Sequence, residues 1–210
     1  MDENKKKLIV GGIAVALVLV GGFWVSAWWS HGSALDALEA DNPTDEQIEQ
    51  IASLLNEDSG DLMLKVGQRL RELGPRSITA LKKQCREGEP QSQELATKLL
   101  LNIDEEAGLE AMESLVQAPD LTVRKSIVVT LWHHEPKNPR AAEILSKFAD
   151  DPDPDIRASA AEALGSYSGD AATQALERMT RDGDATTARH AARQLEAVRK
   201  KSQDRKRTNR

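Results

Sequence analysis

Two stretches of this chain are variants of one another. DLTVRKSIVVTL (Asp120–Leu131) and DPDIRASAAEAL (Asp153–Leu164) align without a gap, which sets Arg124 and Arg157 33 residues apart, and Leu131 and Leu164 likewise. Further copies flank them. Arg189 lies 32 beyond Arg157 and Leu195 lies 31 beyond Leu164; going backwards, Leu99 is 32 before Leu131 and Leu70 is 29 before Leu99. A recurrence near 30 residues constrains the fold more than any single motif. Each unit is one supersecondary element too small to bury its own apolar face, so the units must stack.

Each unit reads as two helices. Ile156, Ala160, Ala163 and Leu164 share one helical face, Gly165 to Gly169 breaks the pattern, and Ala172, Ala175, Leu176 and Met179 start a second face. The copy before it runs Val123, Ile127, Thr130 and Leu131, then Ala141, Ile144, Leu145 and Phe148, with Pro136 and Pro139 in the turn. Two fainter copies precede these. One pairs Leu62, Val66, Leu70 and Leu73 with Ile78, Leu81 and Cys85; the other pairs Ala96, Leu99, Leu100 and Ile103 with Ala111, Met112 and Leu115. Ala188, Ala191, Ala192 and Leu195 predict a closing helix. Thr44 to Leu55 predicts a leading one, capped by Thr44 with Gln47 three residues on. Acids in DDPDPD (Asp150–Asp155) suit a helix start. Aromatic residues make up 3% of the chain, too few for a sandwich or barrel packed on rings.

The phrase DPDPDIRASAAEALGSYSGDAATQALERM (Asp151–Met179) resembles the short, roughly 30-residue HEAT-like repeats of phycobilisome-lyase-type proteins. The resemblance covers about Gly60 to Val198 and is strongest over Asp120–Leu195. It implies an all-α fold: a short HEAT-like α-solenoid of about four helix pairs plus end helices. It implies little about function, because such arrays serve adaptors, lyases and DNA glycosylases alike.

Ahead of the repeats, the 22 residues Leu8–Trp29 carry no charge. As a helix they would reach about 33 Å, enough for a hydrocarbon core of about 30 Å. Lys5, Lys6 and Lys7 precede the run, and Trp24, Trp28 and Trp29 cluster at its far end, where both residue types favour the membrane interface. The run therefore predicts one transmembrane helix preceding the solenoid. No Lys or Arg follows until Lys65, so the lysine bias predicts a cytoplasmic N-terminus and a periplasmic or external body, most simply at a bacterial inner membrane. The alternative is a signal peptide cleaved near Gly32-Ser33-Ala34. The expected organisation is then residues 1–7 cytoplasmic, 8–29 a signal anchor, 30–43 an acidic stalk, 44–198 the solenoid and 199–210 a basic disordered tail.

Charge is unevenly spread. His31–Val198 holds 31 acids against 18 bases, a net of −13, whereas Arg199–Arg210 has a net of +6. An acidic body repels nucleic acid. The basic tail could contact anionic lipid. One cysteine, Cys85, excludes an intramolecular disulfide, and its place in the repeat's apolar phase reads as packing. His133 and His134 are adjacent on a helix and point about 100° apart, which disfavours a shared metal. No phosphate loop, HExxH or GxSxG motif is present. The residues expect no catalytic, metal or cofactor site.

Candidate partner-binding residues lie on the second helices of the pairs: Lys82, Lys83 and Arg86, then Glu106, Glu110 and Glu113, then Arg140 and Lys147, with Trp132 at an inter-helix corner as core or hot spot. Arg124, Arg157 and Arg189 each follow an acid, Asp120, Asp153 and Asp184, and the resemblance implies that such pairs form a structural ladder between neighbouring units. The reading is a non-enzymatic, membrane-anchored interaction scaffold that holds a protein partner, as an accessory component of a membrane or periplasmic complex. Two alternatives stand: a lyase-like enzyme or cofactor-maturation factor using Cys85, and a cytoplasm-facing solenoid with a lipid- or nucleic-acid-binding tail.

Overall fold

The computed structural model describes residues 32–57 and 59–208, with side chains to residue 201. The anchor expected over residues 8–29, with Lys5, Lys6, Lys7, Trp24, Trp28 and Trp29, lies outside the described residues. Among those described, no helix is long and apolar enough to cross a membrane. The described chain is helical, with no strand, and divides into two compact units at Ser77/Ile78. The boundary falls within the first expected helix pair.

The first unit contains a helical segment α1 (residues 32–38), α2 (Asp45–Ser53) and α3 (Gly60–Leu73). The capping box is present: the Thr44 N–H donates to Gln47 Oε1 at 2.8 Å and the Gln47 N–H donates to Thr44 Oγ1 at 3.3 Å. Ile48, Ile51, Leu54, Leu55, Val66 and Leu70 are buried. The segment expected to be a stalk is folded: Ala34, Ala37 and Leu38 are buried. Its end is fastened by two arginines. Arg69 donates to the carbonyls of Ala40 and Asp41, and Arg76 donates to Asn42 Oδ1 at 2.8 Å and Pro43 O at 2.5 Å. Composition marked this stretch as solvated, but its small apolar residues recur at helical spacing. Gly74, at φ 56°, ends α3 in a conformation that favours glycine.

The second unit contains α4 (Ile78–Glu87), α5 (Pro90–Ile103), α6 (Glu105–Ser114), α7 (Leu121–His133), α8 (Pro139–Lys147), α9 (Pro154–Leu164), α10 (Asp170–Met179) and α11 (Ala185–Thr208). They form two rows. In the first, α5, α7, α9 and α11 pack side by side; in the second, α4, α6, α8 and α10 do. Counting from each cap residue (Glu89, Asp120, Asp153, Asp184) fixes the register of the first row. Position 7 holds Ala96, Ile127, Ala160 and Ala191, and position 11 holds Leu100, Leu131, Leu164 and Leu195, all buried. The positions four apart stay on one face and stack into continuous apolar columns. Each leucine buried this way contributes about 2 kcal/mol. Leu100, not Leu99, is therefore the counterpart of Leu131.

α11 runs on through the segment expected to be a disordered tail, as far as Thr208. No glycine or proline interrupts it, and its Lys, Arg, Gln and Glu residues favour helix. Cations at a helix C-terminus also oppose the macrodipole charge there.

Close approach of helices depends on two glycines. A Cβ on Gly108 of α6 would lie 2.4 Å from Leu101 Cα of α5, against backbone that cannot yield. A Cβ on Gly165 would meet the Gln194 side chain, whose far end can swing away. Gly108→Ala should therefore cost about 1–3 kcal/mol by forcing α5 and α6 apart, while Gly165→Ala stays within about 1 kcal/mol of wild type. Urea unfolding followed by circular dichroism checks both; equal losses would contradict the assigned packing.

Candidate functional site

The candidate binding residues come together as a charge network along the second row. Lys82 of α4 meets Glu110 of α6 at 2.6 Å. Arg140 of α8 pairs with Glu106 and, at 3.1 Å, with Glu113, and Lys147 meets Glu113 at 2.5 Å. Basic helices thus flank an acidic one, and opposite charges on neighbouring repeats satisfy each other. Surface pairs of this kind contribute about 0–1 kcal/mol each. Arg86 is exposed, and Lys83 is half-buried and already engaged. Trp132 is half-buried, with its ring 5.5 Å from that of His133.

The arginines do form rungs, with different partners from those expected. Arg124 is buried and donates from Nε to Asp151 Oδ2 at 2.8 Å and from Nη2 to Asp151 Oδ1 at 3.3 Å, while Nη1 donates to Ala118 O at 2.8 Å. Arg157 repeats the geometry one unit later. Its Nε and Nη2 donate to Asp182 at 2.8 and 3.0 Å, and Nη1 donates to Asp151 O at 2.8 Å. The acids expected as partners cap helices instead. Asp120 accepts from Thr122 N–H, Asp153 from Asp155 N–H and Asp184 from Thr187 N–H, at 2.7, 2.9 and 2.8 Å. In each Asp-x-Asp turn, then, the first carboxylate takes the previous repeat's arginine and the second starts the next helix. Arg189 sits one position later in its helix than Arg124 and Arg157, about 100° round, and is exposed.

A cavity of about 860 Å³ opens beside the first rung, where Arg124, Asp151, Asp150 and Lys147 meet the chain at Ala118 and Pro119. The guanidinium is already used by Asp151 and the two carbonyls, so the pocket's buried charge is structural.

Cys85 is buried in α4, 3.5 Å from Thr97 Oγ1, and burial pushes its thiol pKa up. A raised pKa leaves little thiolate, the nucleophilic form. No group of His, Cys, Asp or Glu among the described residues could hold a metal ion. His133 and His134 diverge: His133 Nδ1 lies 2.9 Å from Val129 O of its own helix, and His134 Nε2 lies 2.8 Å from Glu105 of α6.

Sequence reasoning passed over Tyr167, the chain's only tyrosine, inside what was read as a glycine turn. It is buried, donates to Leu131 O at 2.5 Å, and burial raises its pKa to about 12. Lys137 lies 5.0 Å from the ring centroid and caps α7 by donating to Trp132 O at 2.6 Å and His134 O at 2.9 Å.

The HEAT repeats family model matches residues 109–196. No curated protein matches the chain. Among solved structures, it is similar to a designed armadillo repeat protein in complex with the peptide (KR)4, at 14% identity over 80% of this chain and 91% of that one, with a TM-score of 0.46. An engineered protein is similar at 19% identity over 81% and 90%, with a TM-score of 0.43. So is a chain from a structure of microtubule plus-end tracking by XMAP215, CLIP-170 and EB1, at 18% identity over 76% and 77%, with a TM-score of 0.43.

The rungs carry an acid dependence. The Arg157 guanidinium, followed by the Asp184 N–H, holds the Asp182 carboxyl below the usual carboxylate range. Such a group stabilises the fold fully above its unfolded pKa, about 3.9, and loses that contribution as pH falls through the lower folded value. Asp182→Asn should lower the melting temperature at pH 7, and the gap from wild type should close below about pH 4. A gap that stays constant from pH 7 to pH 2 would contradict the charge-based rung. The local pattern of Asp-x-Asp with arginine at the fourth helical position thus has a physical meaning in this chain: it joins one repeat to the next.

Proposed function

We propose that this chain is a membrane-anchored, non-catalytic protein-interaction scaffold, an accessory component of a membrane or periplasmic complex. One observation carries the reading: the buried arginine–aspartate pairs and the lone cysteine are committed to structure, while the repeats present a long lateral surface. Arg124, Asp151, Arg157 and Asp182 lock neighbouring repeats, and Cys85 is buried with a raised pKa. That burial disfavours the lyase-like alternative, which needs a reactive thiolate.

The uncharged run Leu8–Trp29 and its preceding lysines support the anchor, with a cytoplasmic N-terminus and a periplasmic body. The test is recovery of the full chain from native membranes in mild detergent through a C-terminal tag, with a truncation beginning at Ser30 as control. The expected outcome is a partner recovered in stoichiometric amount with the full chain, together with activity of a C-terminal reporter that works only outside the cytoplasm. Recovery of bait alone would overturn the scaffold, and a reporter active only in the cytoplasm would overturn the topology.

A further inference from the structure

Lys125, Thr122, His133, Ser126 and Thr130 form the polar side of α7, but two large apolar residues, Leu121 and Val129, stand exposed among them. Leu121, Lys125, Val128 and Trp132 share one face at spacings of four, three and four. The residues in register on α9 are Pro154, Ala158, Ala161 and Gly165, all small. α9 therefore lies low between a taller α7 and, on its far side, α11. The resulting trench has a volume of about 360 Å³. Leu121 forms its apolar wall, the buried Val128 and Ala158 lie beneath its floor and His190 stands on the opposite side. Leu121 is 47% exposed, and Val129, on the adjoining surface of α7, is 40% exposed.

The charges at the trench are unequal. Glu162, at one end, pairs with Arg193 and lies 2.9 Å from His190. Asp153 and Asp155 line the same trench. Asp153 is taken up as the cap of α9 by two backbone N–H groups, while the exposed Asp155 carboxylate has no side-chain partner among the described residues. Lys125 adds one positive charge to the α7 wall, which leaves the trench net negative. An exposed leucine beside the unpaired Asp155 carboxylate fits a ligand that is apolar and cationic at once, and like charge would repel an acidic one.

We propose that the trench over α9 is a docking site for a segment of a partner protein that lays an apolar side chain against Leu121 and places a lysine or arginine over Asp155. The proposal rests on the scaffold reading and names the chemistry that scaffold selects. A second copy of this chain fits less well, because its C-terminal basic stretch from Arg199 to Arg210 has no apolar residue and Lys5–Lys7 adjoin the run read as the membrane anchor.

The test is selection of phage-displayed random 12-residue peptides on the full chain in detergent micelles, followed by fluorescence anisotropy with synthesised winners. Wild type is compared with Leu121→Ser and Asp155→Lys, both at exposed positions, after melting curves confirm that the variants fold. The expected winners carry an apolar residue flanked by Lys or Arg and bind each variant at least tenfold more weakly. Winners rich in acids, winners that bind both variants unchanged, no enrichment at all, or a dimer of the chain abolished by Asp155→Lys would each overturn the proposal. Native membranes distinguish the two levels. A stoichiometric partner that is still captured by both variants leaves the scaffold standing and removes the trench, whereas loss of all capture in wild type removes the scaffold itself.

Discussion

A guanidinium reaching from one repeat to a carboxylate of the next is the contact on which the regular part of this array depends. Helix pairs this small bury too little apolar surface to hold a fixed relation to their neighbours by packing alone. Arg124 and Arg157 supply direction. Each sits at the fourth position of its helix and fits its planar fork to the first acid of an Asp-x-Asp turn. Arg124 and Asp151 are both more than nine-tenths buried. Desolvating such a pair costs much of what its attraction returns, so its value lies in fixing register and in the large penalty for leaving either charge alone. The device ends where both halves are missing. At the α5 position corresponding to Arg124 stands Gln93, and the turn position corresponding to Asp151 is Ala118.

The same economy of charge explains what remains for binding. On the second row, opposite charges on α4, α6 and α8 are paired with each other, so a partner would have to displace existing contacts. On the first row the pattern differs, because α7 carries bulkier residues where α9 carries alanine and glycine, and Leu121 stands exposed there. The unpaired Asp155 lies near that step in height. Interaction surfaces combine apolar area with charge that can select, and here the two coincide on the α7–α9–α11 side.

Much of the fold was legible because period and spacing are local properties. The helix pairs from Ala96 onward, the Thr44 capping box and the buried state of Cys85 follow from apolar spacing and cap chemistry. What the sequence hid depends on geometry between repeats. An acid four residues before an arginine looks like its partner, yet Asp120 and Asp153 are consumed as caps, and the true partners lie 27 and 25 residues downstream of Arg124 and Arg157. Leu99 and Leu100 could not be told apart until the cap fixed the count. Tyr167 looked like a turn residue because nothing nearby shows that Leu131 O, 36 residues earlier, awaits its hydroxyl. The candidate site was legible as a list of charges; that those charges neutralise one another was not, because the pairs join separate helices.

The rung itself offers the most direct measurement. A double-mutant cycle of Arg124→Ala and Asp151→Ala, read by equilibrium urea unfolding, isolates the contact from the helices that present it. The account predicts that each single change destabilises strongly, and that the double variant loses less than the two losses combined, with a coupling of about 2–3 kcal/mol. Additive losses would show that the arginine and the aspartate act independently, and would contradict a fold whose repeats are joined through them.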